Sequence, residues 1–189
     1  MKENIVILLF LICSFNISSL KAQRVIDFSP LRQLKTIKAK QFPIEELKSN
    51  GLSIVVFYSP LCPICQNYTK TLKDIHAKYK DIPIYLIYPS FTTSEIKRFE
   101  TKYDIPFTSA QDQRNIAVKL FSATVTPQCF LMNNKGEILY SGKIDNWYED
   151  IGKRRTIITE NYLVNAIESY RLNKPIIIPS TQPVGCFIN

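Results

Sequence analysis

Residues 52–59, LSIVVFYS, form a nearly unbroken run of β-branched and aromatic side chains, the pattern of a strand buried on both faces. The period then becomes helical: Tyr68, Leu72, Ile75 and Tyr79 recur at i, i+4, i+7 and i+11, while Lys70, Lys73 and Lys78 keep the opposite side polar. Residues 83–88, PIYLIY, read as the next buried strand. Strand, helix and strand in that order predict a right-handed parallel crossover. Thr92 and Glu95 have the spacing of a capping box and open a second helix with apolar positions at Ile96, Phe99 and Tyr103.

The pattern predicts a third, short helix over 112–121, buried through Ile116 and Leu120. Residues 128–132 and 137–141 flank Asn133-Asn134-Lys135-Gly136, whose Asn and Gly suit positive φ, so a hairpin is expected. A last helix over 159–171 carries Leu163, Ala166, Ile167 and Tyr170 at i, i+3, i+4 and i+7. Near the start, 25–28 reads as a strand and a short helix follows Pro43.

Composition adds limits to this outline. At 189 residues the chain has room for one domain with appendages, and 46% hydrophobic residues supply a real core. With 5 Gly against 11 Pro and no internal repeat, collagenous, low-complexity and solenoid architectures are excluded. Lys2 followed by an apolar run over 5–15 and small residues at Ser18, Ser19 and Ala22 predicts a signal peptide, 1–22, cut after Ala22. The run is too short for a membrane span, which takes about 20 residues. The expected division is therefore 1–22 leader, 23–173 folded domain and 174–189 tail, in a protein exported to the periplasm or another extracytoplasmic space.

The full chain carries +8, and loss of Lys2, Lys21 and Glu3 with the leader leaves +7. Lys35, Lys38, Lys78, Lys80, Lys153, Arg154 and Arg155 are scattered, without the aromatic interleaving of a single-strand binder. A solvated basic surface is the expectation, with no nucleic-acid partner and at most peripheral contact with an anionic membrane.

Four cysteines remain after the leader: Cys62, Cys65, Cys129 and Cys186. Cys62-Pro63-Ile64-Cys65 sits where the first buried strand hands over to a helix. With Cys62 as N-cap, Pro63 takes the first helical position, where its missing N–H costs nothing. The cap amides and helix dipole would then favour the Cys62 thiolate, the nucleophile of disulfide exchange, and Cys65 one turn deeper would resolve the mixed disulfide. A zinc site ranks lower because no second C-x-x-C exists. An inert structural disulfide is the stronger rival, since export alone can oxidise neighbouring thiols. Cys129 reads as a buried thiol in an apolar strand. The apolar Phe187 and Ile188 predict that the tail folds back on the domain, and a Cys129–Cys186 disulfide is the simplest second pairing.

The order of strand, C-x-x-C helix, strand, helix, then Thr126-Pro127 entering a hairpin with NNKGEILYSG, resembles the thioredoxin superfamily, in particular exported bacterial redoxins of the thiol-disulfide reductase and alkyl-hydroperoxide-reductase-like type. The resemblance implies an α/β thioredoxin-like fold, with a central mixed sheet flanked by helices, over about residues 25–171. It also implies a cis-proline at Pro127, with Thr126 offering backbone groups to a substrate strand, and a resolving role for Cys186 against Cys62 as an alternative to the Cys129 pairing. Catalysis would use Cys62 and Cys65 with no cofactor and no metal, acting on protein thiols and disulfides and drawing on an unidentified redox donor. GKIDNWYEDIGKRR and the Gly185-Cys186 tail are similar to one bacterial subgroup.

Four positions depart from the family pattern: Leu61 replaces a tryptophan, Ile64 a proline, Val56 a buried acid, and Val55 the proline of a peroxidatic motif. A peroxiredoxin-like peroxidase using Cys62 is therefore an alternative only. Copper delivery is a second, although His76, the only histidine, lies in the helix that Cys62 starts and is expected to pack rather than ligate.

Overall fold

The computed structural model describes residues 24–38 and 40–188; the signal peptide expected over 1–22 lies outside them. In chain order, a 3-10 turn (Ser29–Gln33) leads to β1 (Lys35–Thr36), α1 (Ile44–Ser49), β2 (Leu52–Phe57), α2 (Pro63–Lys78), β3 (Ile84–Pro89) and α3 (Thr93–Tyr103). Then follow β4 (Thr108–Asp112), α4 (Ile116–Phe121), β5 (Val125–Thr126), β6 (Gln128–Asn133), β7 (Ile138–Gly142), β8 (Tyr148–Asp150), β9 (Lys153–Arg154), α5 (Tyr162–Arg171) and β10 (Cys186–Phe187).

The main sheet runs β1-β4-β3-β2-β6-β7. Its middle pairs, β2 with β3 and β3 with β4, are parallel, and β1, β6 and β7 join antiparallel. This is the mixed sheet of a thioredoxin-like fold. All six residues of β2 are buried, as are those of β3 and β6, because successive side chains feed two separate apolar layers. Ile54, Val56, Leu86 and Leu131 face α2, α3 and α5 through Leu72, Ile96, Phe99 and Leu163. Val55, Phe57, Ile87 and Phe130 face the opposite layer, built from Leu31, Leu47 and Phe121. Truncating a fully buried anchor such as Leu72 to Ala costs about 2–5 kcal/mol at sites of this kind.

The capping box at Thr92 and Glu95 forms in both directions. The hairpin forms too, and Gly136 is needed there: its φ is +82° and a Cβ would lie 2.2 Å from the Ile26 carbonyl oxygen. That contact belongs to an N-terminal strap, in which Ile26 N–H donates to Gly136 O at 2.7 Å and Ile138 N–H to Arg24 O at 2.9 Å.

Three expectations need correction. The stretch from Asp112 does not begin a helix: Thr108–Asp112 is β4, paired with β3, and α4 starts at Ile116. Asp112 ends the strand and its carboxylate accepts from Ile116 N–H at 2.7 Å and Val118 N–H at 3.0 Å, so it caps α4 from a distance. The expected strand at 25–28 is reduced to one bridge, Val25 with Glu137, before the 3-10 turn, because the segment straps the hairpin from outside the sheet. The last helix starts at Tyr162 rather than 159, because Thr159 and Glu160 donate their N–H groups to the buried Asn146 side chain instead.

The tail does fold back. Ser141 N–H donates to Pro179 O at 3.1 Å and Thr181 N–H to Ser141 O at 3.0 Å, laying the tail along the free edge of β7. Its last strand, β10, pairs antiparallel with β5. Phe187, expected to bury itself, is 77% exposed because its side of β10 faces solvent.

Candidate active site

The end of β2 and the start of α2 bring the C-x-x-C pair to one end of the sheet. Cys62 is the N-cap in extended backbone (φ −81°, ψ 116°) and Pro63 takes N1. Cys65, one turn further, is fully buried; its backbone carbonyl accepts from the Tyr58 hydroxyl, which holds the first turn onto the end of β2. Across from them the Thr126–Pro127 peptide is cis, and the Cys62 thiol donates to Thr126 O at 3.1 Å. The structure thus brings Cys62, Cys65, Thr126 and Pro127 together.

Cys186 completes the group. β10 sets Cys186 opposite Thr126 and Phe187 opposite Val125, and Ile188 N–H donates to Thr124 O at 3.0 Å. Both the thiol and the backbone N–H of Cys186 are placed to donate to the Cys62 sulfur. The backbone of Thr126, which the resemblance assigns to a substrate strand, is therefore taken by the chain's own tail.

The electrostatics separate the three sulfurs. Cys62 is brought down to about 5, first by the Cys65 thiol and then by the Cys186 thiol and the two backbone N–H groups, against the opposing effect of burial. The neighbouring thiol thus outweighs the Cys65 amide, one of the cap groups expected to favour the thiolate. Cys65 is pushed well above the ordinary thiol value by burial and by its bond to Cys62. Cys186 is pushed up to about 12, by burial first and then by the same bond. Of the three, Cys62 is the sulfur that carries negative charge near neutral pH.

Around the pair the surface is partly apolar. Leu61 is 76% exposed beside Cys62, and it joins Phe91 and Phe99 in a groove of about 230 Å³ rimmed by Arg98 and Lys102. Below Cys65 lie the rings of Tyr58 and Tyr88, with centroids 6.2 Å apart, and beyond Tyr88 the buried carboxyl of Glu100. Burial raises Glu100 above the usual carboxylate range. Val56 leaves Cys65 without an adjacent acid, and Glu100 is inconspicuous in sequence because α3 also carries Glu95, Lys97, Arg98 and Lys102.

Other singled-out residues stand apart. Cys129 is fully buried in β6 and its thiol donates to Gly142 O at 3.3 Å and Lys143 O at 3.4 Å; it is unbonded, with neighbours different from those of Cys186. Burial, reinforced by Asp145, raises it above the ordinary thiol value. His76 is half-buried, edge-on to Phe107 at 5.5 Å between centroids. Trp147 and Tyr148 pack on Tyr68, whose hydroxyl donates to the buried Asp145. Among the described residues no group of three or more His, Cys, Asp or Glu side chains is arranged to hold a metal ion.

A C-x-x-C turn at a helix N-terminus facing a cis-proline strand, on this mixed sheet, defines a thioredoxin-like redox protein in architecture. The chain belongs to the AhpC/TSA family, which it matches over residues 23–141. Among curated proteins it is similar to the thiol-disulfide oxidoreductase ResA of Bacillus thuringiensis subsp. konkukian, at 21% identity over 117 residues, which are 61% of this chain and 67% of ResA. Among solved structures it resembles an uncharacterized conserved protein from Geobacillus kaustophilus, at TM-score 0.73 and 17% identity over 89% of this chain and 93% of the other. A secreted Mycobacterium tuberculosis disulfide oxidoreductase homologous to Escherichia coli DsbE superposes with TM-score 0.52 and 18% identity, covering 59% and 84%. Residues 142–189, with the Trp147 loop and the Cys186 tail, lie beyond the family match.

Proposed function

We propose that this chain is an exported thiol-disulfide oxidoreductase that passes electrons to protein disulfides through Cys62 and Cys65. The observation that carries the reading is the split between the two sulfurs: Cys62 is favoured as a thiolate at the helix cap, and the protonated Cys65 sits one turn deeper against it. The Cys62 thiolate attacks one sulfur of a substrate disulfide and a substrate thiolate leaves. Cys65 then attacks the Cys62 sulfur, giving up its proton as the second substrate thiolate is released. Two electrons reach the substrate and a Cys62–Cys65 disulfide remains for the redox donor to reduce. Cys65 becomes easier to deprotonate at that second step, because once Cys62 is in a mixed disulfide it no longer holds the Cys65 proton or repels its charge.

Export rests on the leader pattern at 1–22. Ile64, between the cysteines, adds no positive charge to the stabilisation that the Cys65 and Cys186 donors already give the Cys62 thiolate, so a potential below that of the strong oxidants, about −120 mV, is expected. Val55, on the far face of the sheet from Cys62, adds nothing to a peroxide pocket, so hydrogen peroxide should be consumed slowly. Insulin reduction driven by dithiothreitol tests the reading. The wild type should accelerate it, and Cys62→Ala should not. Full activity in Cys62→Ala would overturn the proposal.

A further inference from the structure

Cys62 is only 1% exposed, although it is the sulfur that must meet a substrate. The chain's own tail lies at this end of the sheet. β10 runs antiparallel to β5, so that the residue opposite Thr126, where a substrate strand would dock beside cis-Pro127, is Cys186. The close approach is built into the backbone: a Cβ at Gly185 would lie 2.1 Å from the Thr126 carbonyl oxygen, so only glycine permits it. The Thr124 carbonyl fixes the far side of the strand through Ile188 N–H. The Cys62 thiol reaches the Thr126 carbonyl at 3.1 Å and Cys186 lies directly across from Thr126, the relation a substrate cysteine would have.

We infer that the tail is a built-in substrate: it docks as a strand on Thr126 and presents Cys186 as a third redox thiol that forms a disulfide with Cys62 in competition with Cys65. This rests on the proposed reading of Cys62 as the exchanging thiolate. In the oxidised protein, Cys186 loses its proton and attacks the Cys62 sulfur of the Cys62–Cys65 bond; Cys65 leaves as a thiolate and takes up a proton. One S–S bond forms and one breaks, with no net oxidation. The exchange leaves Cys65 free and Cys62 bonded to a strand that can swing away only with its cysteine attached. A protein substrate therefore competes with the tail both for Thr126 and for the Cys62 sulfur.

The test uses the chain with Cys65→Ala and, as disulfide probe, oxidised glutathione. Glutathione first bonds to Cys62, releasing one reduced glutathione; attack by Cys186 releases the second and leaves Cys62–Cys186. Trypsin puts Cys62 in peptide 49–70, Cys129 in 120–135 and Cys186 in 172–189, so mass spectrometry reads the pairing directly. The expected product is 49–70 linked to 172–189. Gly185→Ala in the same background should lower its yield several-fold and speed alkylation of reduced Cys62 several-fold. The wild type at glutathione equilibrium should contain 49–70 linked to 172–189 as a minor species, with fragmentation placing the bond on Cys62 and not Cys65, a measurement independent of how the variants fold. Cys62 left glutathionylated beside a free Cys186 would overturn the inference and leave the function standing. A Cys62 that reacts with neither would overturn both.

Discussion

Cys62 and Cys129 are both buried in the same apolar layer, both as thiols donate to a main-chain carbonyl, and yet they shift in opposite directions. Cys62 sits where a helix begins, and two thiols and two N–H groups converge on its sulfur. Cys129 sits mid-strand, where its thiol meets the Gly142 and Lys143 carbonyls, and burial with the help of Asp145 outweighs the Cys129 and Gly142 backbone groups that favour its charge. Burial acts against charge at both positions. The two neighbouring thiols, present only at Cys62, decide which cysteine becomes a nucleophile.

The sharpest way to break this comparison is to remove each sulfur in turn. Cys62→Ala should lower disulfide exchange by roughly 10³-fold or more, as loss of a nucleophile does elsewhere. Cys129→Ala should change it less than about twofold while costing about 1–2 kcal/mol of stability. Insulin reduction and urea unfolding of the same samples check both.

A second effect is in reactivity against pH. With Cys62 down to about 5, its alkylation rate should rise through pH 5 and level off by pH 7, where an ordinary thiol is still about 10²-fold short of its thiolate limit. Cys129 should stay unlabelled until the protein unfolds. Iodoacetamide labelling read by peptide mass spectrometry decides it, and a Cys62 profile centred near 9 would erase the contrast. Removing the largest donor, in Cys65→Ala, should move that profile upward.

How much of this could be read beforehand differs by element. β2, α2 and the cap at Cys62 were legible because continuous burial, a helical stripe and a proline at N1 are each local signals. β4 was not: TSAQD has no apolar run, and it becomes a strand only because β3 and β1 lie on either side of it. The position of Cys62 at a helix N-terminus follows from the local sequence, and the cis bond before Pro127 from resemblance. The return of the tail was legible from its apolar end and the nearness of Cys186 to Cys62 from resemblance alone, while the strand pairing with Thr126 was not, because it joins positions some sixty apart. Glu100 was hidden by the charged residues around it on α3.

A smaller effect appears in stability. A thiol held below its unfolded value stabilises the folded form above that window's lower edge: the contribution is absent below about pH 5, grows as pH rises and is complete near 9. The stability gap between reduced wild type and reduced Cys62→Ala should therefore widen with pH across that interval, by an amount on the order of 2 kcal/mol at pH 7. Urea titrations at pH 5, 7 and 9 would show it, and a gap that narrows with pH would mean that burial wins at Cys62 as it does at Cys129.

The part of the tail that lies before the third cysteine bears on solubility. A sheet presents unpaired N–H and C=O groups at each border, which invite another chain to add on. One border here is the two-residue β1; the other, β7, is covered where Pro179 and Thr181 bond to Ser141. Cutting the chain before Pro179 would uncover that border and turn a question about redox partners into one about self-association. Cutting after Thr181 would release the cysteine and leave the border sealed.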